Sequence, residues 1–391
     1  MKNNRTFLEK LLDGAEVEWK PLGKVTDIKT GQPVSKNIIA QNPGIYPVIN
    51  SGREPLGFIN EWNTENDPIG ITTRGAGVGS ITWQEGKYFR GNLNYSVTIK
   101  SEYELNVRFL YHVLLYFQKE IHNLCSFTGI PALNASELKK LEIPIPPLPV
   151  QTEIVKILDA LTALTSELTS ELTLRRKQYE HYREKLLSEE ELGKVGFEWK
   201  TLGDVAKIQR GASPRPISQY ITDEPNGIPW IKIGDTSLDS KYIENTAQKI
   251  TVEGAEKSRI LKCGDFVMSN SMSYGRPYIL KISGAIHDGW ASISDFENIL
   301  NSDFLYYYLS SDSVQSYWNG KINSSSVSNL NSDIIKSLPI PIPALHIQIE
   351  IAKTLDKFEI LTNSITEGLP LAIEQSQKRY EYYRELLLNF S

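Results

Sequence analysis

Cysteine is nearly missing from this chain: Cys125 and Cys263 are the only two in 391 residues. Neither sits in a metal-ligand spacing, which argues against structural zinc and against a disulfide scaffold, and both read as buried thiols of a reducing cytoplasm. Histidine is sparse as well, and His112, His122, His181, His287 and His346 form no paired spacing that would hold a catalytic metal. No apolar run nears the roughly 20 residues needed to cross a bilayer. The opening MKNNRTFLEKLLDG is too polar for a secretion signal. An excess of positive charge is also lacking, and a net charge of −5 argues on its face against a nucleic-acid partner.

The average hides a distribution. Between Ile71 and Lys100, Arg74, Lys87, Arg90 and Lys100 face one acid, Glu85; between Lys257 and Lys281, Lys257, Arg259, Lys262, Arg276 and Lys281 face Asp265. A basic window is more often a solvated face than a site. Two such windows at related places in two halves point to an anionic partner.

Motifs that would carry catalysis are missing too. RGAGVGS (74–80) has the glycines of a phosphate cradle but no Lys-Ser/Thr, and strand-like residues follow it, so it reads as a turn. Glu-x-Lys occurs at Glu18–Lys20, Glu198–Lys200 and Glu85–Lys87 without the upstream acid of a nuclease core, and no aromatic-flanked Pro-Pro signature of an amino-methyltransferase is present. The chain reads as a binder without an active site.

What the chain does contain is itself, twice. EWKPLGKVTDIKTGQP (18–33) returns as EWKTLGDVAKIQRGASP (198–214), LEIPIPPLPVQTEIVKILD (141–159) as LPIPIPALHIQIEIAKTLD (338–356), and RRKQYEHYREKLL (175–187) as SQKRYEYYRELLL (376–388). The offset grows from 180 to 197 to 201, so the second variable stretch is 17 residues longer and the second helical segment 4 longer. Residues 34–140 and 215–337 show little mutual resemblance: the scaffolds are alike and the inserts differ. FLEKLLDGAEVEWKPLG (7–23) matches YREKLLSEEELGKVGFEWKTLG (182–203), so the N-terminus reads as the tail of a third helical copy, placed to meet the C-terminal segment and close a pseudo-twofold ring.

Apolar residues at spacings of three and four mark one stripe through Ile154, Leu158, Leu161, Leu164, Leu168 and Leu172, continued by Tyr179 and Tyr182. The second copy carries Ile351, Leu355, Phe358, Leu361 and Ile365, with Tyr380 and Tyr383. Each stripe is expected to face the other in an antiparallel coiled coil, the alternative being that each packs on its own globe. Gly368 and Pro370 should break the second helix. PIPP (144–147) and PIPIP (339–343) read as stiff joints, with Asn134 an N-cap before the first. The variable stretches mix strand-like runs with one aromatic-rich helical segment each. The expected fold is α+β: two globes joined by two long antiparallel helices, with segments at 1–17, 18–149, 150–196, 197–343 and 344–391.

The repeated frame, most of all LPIPIPALHIQIEIAKTLDKFEILTNSITEGLP, QYEHYREKLL and the EWK-LG openings, resembles the specificity subunits of type I restriction–modification systems, and LTALTSELTSEL resembles their IC branch. The resemblance implies two target-recognition domains, each reading half of a bipartite site in double-stranded DNA. It also implies two modification (methyltransferase) subunits docked on the frame and restriction subunits completing a cleaving complex, in the cytoplasm with no membrane involved. No cofactor belongs to this chain; S-adenosylmethionine, ATP and Mg²⁺ are expected on the partners.

For DNA contacts the candidates are Arg74, Lys87, Arg90, Asn92 and Asn94 in the first globe, and Ser269, Asn270, Tyr274, Arg276 and Lys281 in the second. Arg and Asn make bidentate hydrogen bonds to base edges, while Lys more often holds phosphate. Arg210 and Arg215 read as phosphate contacts. TSELTSEL (165–172) reads as a ruler, because four residues extend a helix by about 6 Å and turn it about 40° past a full circle. One copy more or fewer is expected to change the gap between half-sites by one or two base pairs. Two rival readings are a structural coiled-coil adaptor without DNA recognition and a sugar-binding protein suggested by the Tyr and Trp content.

Overall fold

The computed structural model describes residues 7–52, 54–237, 240–270, 275–323, 330–364 and 366–390. The chain forms two compact units, Met1–Glu167 with Ile373–Ser391, and Leu168–Ala372. Each is built to the same plan, as the duplicated sequence requires.

In the first unit the β-branched and aromatic runs form an antiparallel sheet in the order Thr26–Thr30, Asn94–Ile99, Ile69–Thr72, Ile81–Trp83. A second sheet, in the order Phe58–Ile59, Pro43–Ile49, Lys87–Arg90, Thr64–Glu65, includes one parallel pair. In the second unit the corresponding sheet runs Lys207–Arg210, Trp290–Ser294, Phe266–Ser269, Pro277–Leu280, Tyr242–Ile243, beside another five-stranded sheet. Against each of these corresponding sheets packs an aromatic helix, Val107–Tyr116 or Ser302–Leu309, whose N-terminal amides are capped by the side chains of Asn106 and Asn301.

The Pro-rich joints are strands of two-stranded ladders, where both strands are edges and proline costs no ladder bond on its open side. Trp19 pairs with Pro144, and Trp199 with Pro341. Asn134 does stand before the short helix Ala135–Leu138, but its side chain makes no capping hydrogen bond.

One buried glutamine fastens each joint. Gln151 accepts the Asn106 N–H at 2.8 Å through Oε1 and donates through Nε2 to the carbonyls of Pro146 (2.8 Å) and Glu104 (3.2 Å). Gln348 repeats this with Asn301 N–H (2.8 Å), Pro343 O (2.9 Å) and Ile299 O (3.0 Å).

The apolar stripe divides its work. Ile154 and Leu158 are buried in the core of the first unit, and Ile351 and Leu355 in that of the second, so these turns pack on their own globe as well as continuing the rod. Farther along, the helices meet. In the second unit Tyr182 stacks on Phe358 with ring centres 5.5 Å apart, Tyr179 lies beside the same ring, and Arg176 donates to Thr362 O at 3.4 Å. In the first, Thr165 and Ser376 hydroxyls lie 2.8 Å apart, while Leu387 and Leu388 share the core with Ile154 and Leu158, an antiparallel arrangement. Tyr380 packs on that core, but Tyr383 and Leu164 are exposed, and Leu161, Leu168, Leu172 and Leu361 are only half-buried. Ile365 lies outside the described residues. Leu8 and Leu12 line a cleft with Leu386 and Phe390, so the N- and C-terminal segments meet in the first unit.

Helix Leu148–Leu186 runs uninterrupted for 39 residues, whereas its counterpart stops at Asn363 and resumes at Gly368. Gly368 has φ +82°, which ends helical continuity there. Cys125 is buried and Cys263 is exposed, correcting the expectation of two buried thiols; both are free.

A charge lock at equivalent places joins each aromatic helix to its long helix. Asp159 accepts from Arg108 Nε (2.9 Å) and His112 Nε2 (2.8 Å). Asp356 accepts from Lys241 Nζ (3.0 Å) and the Tyr307 hydroxyl (2.5 Å), and Lys241 also pairs with Asp303 at 2.7 Å. Burial alone would push the Lys241 ammonium down, but the hydrogen bonds and charges of Asp303 and Asp356 hold it above its ordinary value. Lys241→Met should cost about 2 kcal/mol, less than the roughly 3–5 kcal/mol of a fully buried pair, because water reaches both carboxylates. Urea unfolding measures it, and an unchanged midpoint would show that the lock is ornamental.

Candidate nucleic-acid interface

The corresponding sheets of the two units end alike. Thr30 pairs with Tyr95 and Arg210 with Ala291, after which each strand leaves the sheet at a glycine, Gly31 or Gly211. A Cβ on Gly31 would lie 2.3 Å from Arg90 O, and one on Gly211 2.0 Å from His287 O, so only glycine lets the chains cross. Gly31 N–H donates to Asn94 O (3.3 Å) and Gly211 N–H to Trp290 O (2.8 Å).

The residue before each glycine ties down the facing loop. Thr30 Oγ1 donates to Asn92 O at 3.0 Å, and Arg210 Nε donates to Asp288 O at 3.1 Å. Strand register thus makes Asn92 and Asp288 equivalent, along with Asn94 and Trp290, and Arg90 and Ile286.

Of the candidates in the first unit, Arg74 and Asn92 are exposed at this sheet end, Arg74 on the turn after Ile69–Thr72. Lys87 is exposed but begins its strand at the other end, where its ammonium lies over the Trp62 ring at 4.4 Å and 3.8 Å from Glu65. Two candidates are corrected. Arg90 is 3% exposed and donates to Ile69 O, Tyr95 O, Asp67 O and Asn94 Oδ1, with the Tyr88 hydroxyl against it. Its guanidinium is consumed inside the unit, where the second copy has Ile286. Burial pushes the Tyr88 phenol up to about 12, against the opposing charge of Arg90. Asn94 is fully buried as an acceptor for Arg90.

In the second unit Arg210, Arg215 and Asn270 converge on Asp288. Arg215, 84% exposed in its side chain, stands 3.6 Å from Asp288 Oδ2, Asn270 Nδ2 donates to Asp288 O at 3.2 Å, and Ser213 Oγ donates to Asp288 Oδ1 at 3.0 Å. Burial pushes the Asp288 carboxyl up, but the Ser213 hydroxyl and the positive charge of Arg210 and Arg215 outweigh it and hold it below the usual range. Ser269 is corrected: it is buried in the sheet opposite Trp290, out of reach of a partner. Arg276 is half-buried with its guanidinium over the Tyr278 ring at 5.5 Å. Lys281 follows the far end of strand Pro277–Leu280, over the Tyr242 ring at 4.1 Å, and is not brought to the cluster. Tyr274 lies outside the described residues.

Asp288, Ser213 and Thr30 were not among the candidates. A search for cations passes over an aspartate, and the loops holding Asn92 and Asp288 lie in the stretches that differ between copies. The usable signal was the glycine that KTGQP and QRGASP share.

Among the described residues no group of His, Cys, Asp and Glu side chains gathers to hold a metal, and no helix is long and apolar enough to cross a membrane.

A family model described as the type I restriction modification DNA specificity domain matches twice, over residues 15–174 and 194–375. A protein of Haemophilus influenzae assigned as a type I restriction enzyme specificity subunit is 41% identical over 412 residues, covering 100% of each chain. The EcoR124I/EcoR124II specificity subunit of Escherichia coli is 33% identical over 407 residues, covering 98% of this chain and 97% of its own. In fold, the S subunit of a type I restriction–modification system from M. genitalium matches with a TM-score of 0.58 at 19% identity, covering 96% of both chains.

Proposed function

The chain belongs to the type I restriction–modification DNA specificity family, and from that membership we propose how its parts divide the work of a specificity subunit that is not an enzyme on its own. Residues 18–149 and 197–343 are the two target-recognition domains, each reading half of a bipartite site in double-stranded DNA. The helices of 150–196 and 344–391, with 1–17 completing the frame, separate them and dock two modification subunits; restriction subunits join to form the cleaving complex. S-adenosylmethionine, ATP and Mg²⁺ are held by those partners, and the complex works in the cytoplasm.

The observation that carries the reading is the repeated sheet end, where Arg74 with Asn92 in one unit, and Arg210 with Arg215 in the other, are exposed where the shared frame meets the dissimilar inserts. Guanidinium and amide groups on a rigid sheet edge suit phosphate and base contacts. The acidic balance of the whole chain predicts weak binding to DNA alone and tight, salt-sensitive binding in the complex.

Modification-aware genome sequencing of cells carrying this chain with its modification subunit tests the assignment. A bipartite methyladenine motif with a fixed gap is expected. A complex that assembles and leaves no motif would favour the adaptor reading.

A further inference from the structure

Two loops that share no sequence hold their tips in the same way. In each, the tip carbonyl, of Asn92 or Asp288, is pinned by the side chain preceding a glycine that admits no Cβ, at 3.0 Å from Thr30 and 3.1 Å from Arg210. Asn92 is exposed, and the Asp288 side chain is 29% exposed. The pinning fixes the backbone of an otherwise variable loop and leaves one polar side chain projecting from a fixed point at the sheet end, which is the geometry base discrimination needs.

We propose that Asn92 and Asp288 are the specificity-determining residues at one equivalent position of each half-site, Asn92 reading adenine and Asp288 reading cytosine. The inference rests on the DNA-reading assignment above. Asn presents a donor and an acceptor, matching adenine N7 and N6; a carboxylate presents acceptors only, matching the cytosine N4 amino group. A carboxylate facing DNA meets phosphate repulsion, and Arg210 and Arg215 beside Asp288 offset it. Ser213 donates to Oδ1, leaving Oδ2 as the reading atom, with Arg215 3.6 Å away and free to swing to a phosphate.

The near-isosteric exchanges Asn92→Asp and Asp288→Asn test this in the assembled methyltransferase complex. Competition among duplexes varied at every base of both half-sites reads relative preference, which survives a general loss of affinity. Asn92→Asp is expected to shift preference from adenine toward cytosine at one position of one half-site only, and Asp288→Asn to do the reverse in the other, each by about tenfold or more. Unchanged preference, or weakening that is equal for all sequences, overturns the proposal and leaves these residues as loop supports. If the wild-type complex itself shows no bipartite preference, it is the DNA-reading assignment that falls.

Discussion

A chain given a third Thr-Ser-Glu-Leu after Leu172 is expected to methylate a motif whose halves lie one or two base pairs farther apart, and to lose the original motif. The tandem lies wholly inside the unbroken helix Leu148–Leu186, and the boundary between the two compact units falls within it, between Glu167 and Leu168. Whatever is added there changes the helical path from one unit to the other by about 1.5 Å per residue. Four residues add about 6 Å and roughly 40° of rotation, so the faces that meet Phe358 and Ser376 stay near their partners. Three residues would leave the faces about 60° short and five about 140° over, so those insertions should cost stability rather than change the gap. Methylation at the original spacing should fall about a hundredfold or more, since losing even two base pairs of one half-site costs about 1–3 kcal/mol each. Methylome sequencing of the insertion strain reads both quantities, and an unchanged gap would sink the ruler.

The duplicated frame was open to reading because its constraints are local and repeat: proline at both joints, leucine at helical spacing, glycine where two chains cross. The stripe of Ile154 and Leu158 was legible as apolar but not as to its partner, because a helix face does not say whether globe or helix covers it. Individual DNA contacts were far less legible. Arg90 looked like a cation for DNA, and only the fold brings Asp67, 23 positions away in sequence, to enclose it together with its near neighbour Tyr88. Asp288 carries the wrong sign for such a search. Its equivalence to Asn92 lies in strand register, and register is set by pairing across about 60 to 80 residues that sequence comparison does not align.

Gln348→Leu is expected to destabilise the second unit by about 3–5 kcal/mol, and Gln348→Glu by nearly as much. The pocket that holds this side chain presents one backbone donor, Asn301 N–H, and two backbone acceptors, Ile299 O and Pro343 O, and Gln348 is fully buried among them. A primary amide offers one acceptor and two donor hydrogens, which satisfies all three. Leucine fills similar space and leaves three main-chain groups dry and unpaired, at roughly 1–3 kcal/mol each before relaxation. Ionised glutamate keeps the bond from Asn301 but turns both carbonyl contacts into repulsion, besides burying a charge. Asparagine has the right groups and is one methylene too short. The same residue does the same work at Gln151, which argues that polar matching, not filling, selects it. Loss of the clamp frees the start of helix Ser302–Leu309 from the Pro339–Pro343 joint, so Asp288 and Arg215 would no longer be held at a fixed place relative to the long helix. Urea unfolding of the single variants measures the energies, and spacer discrimination by the assembled complex measures the consequence. A wild-type midpoint for Gln348→Glu would refute polar matching. Full stability with a relaxed spacer would show instead that the clamp sets angle rather than energy.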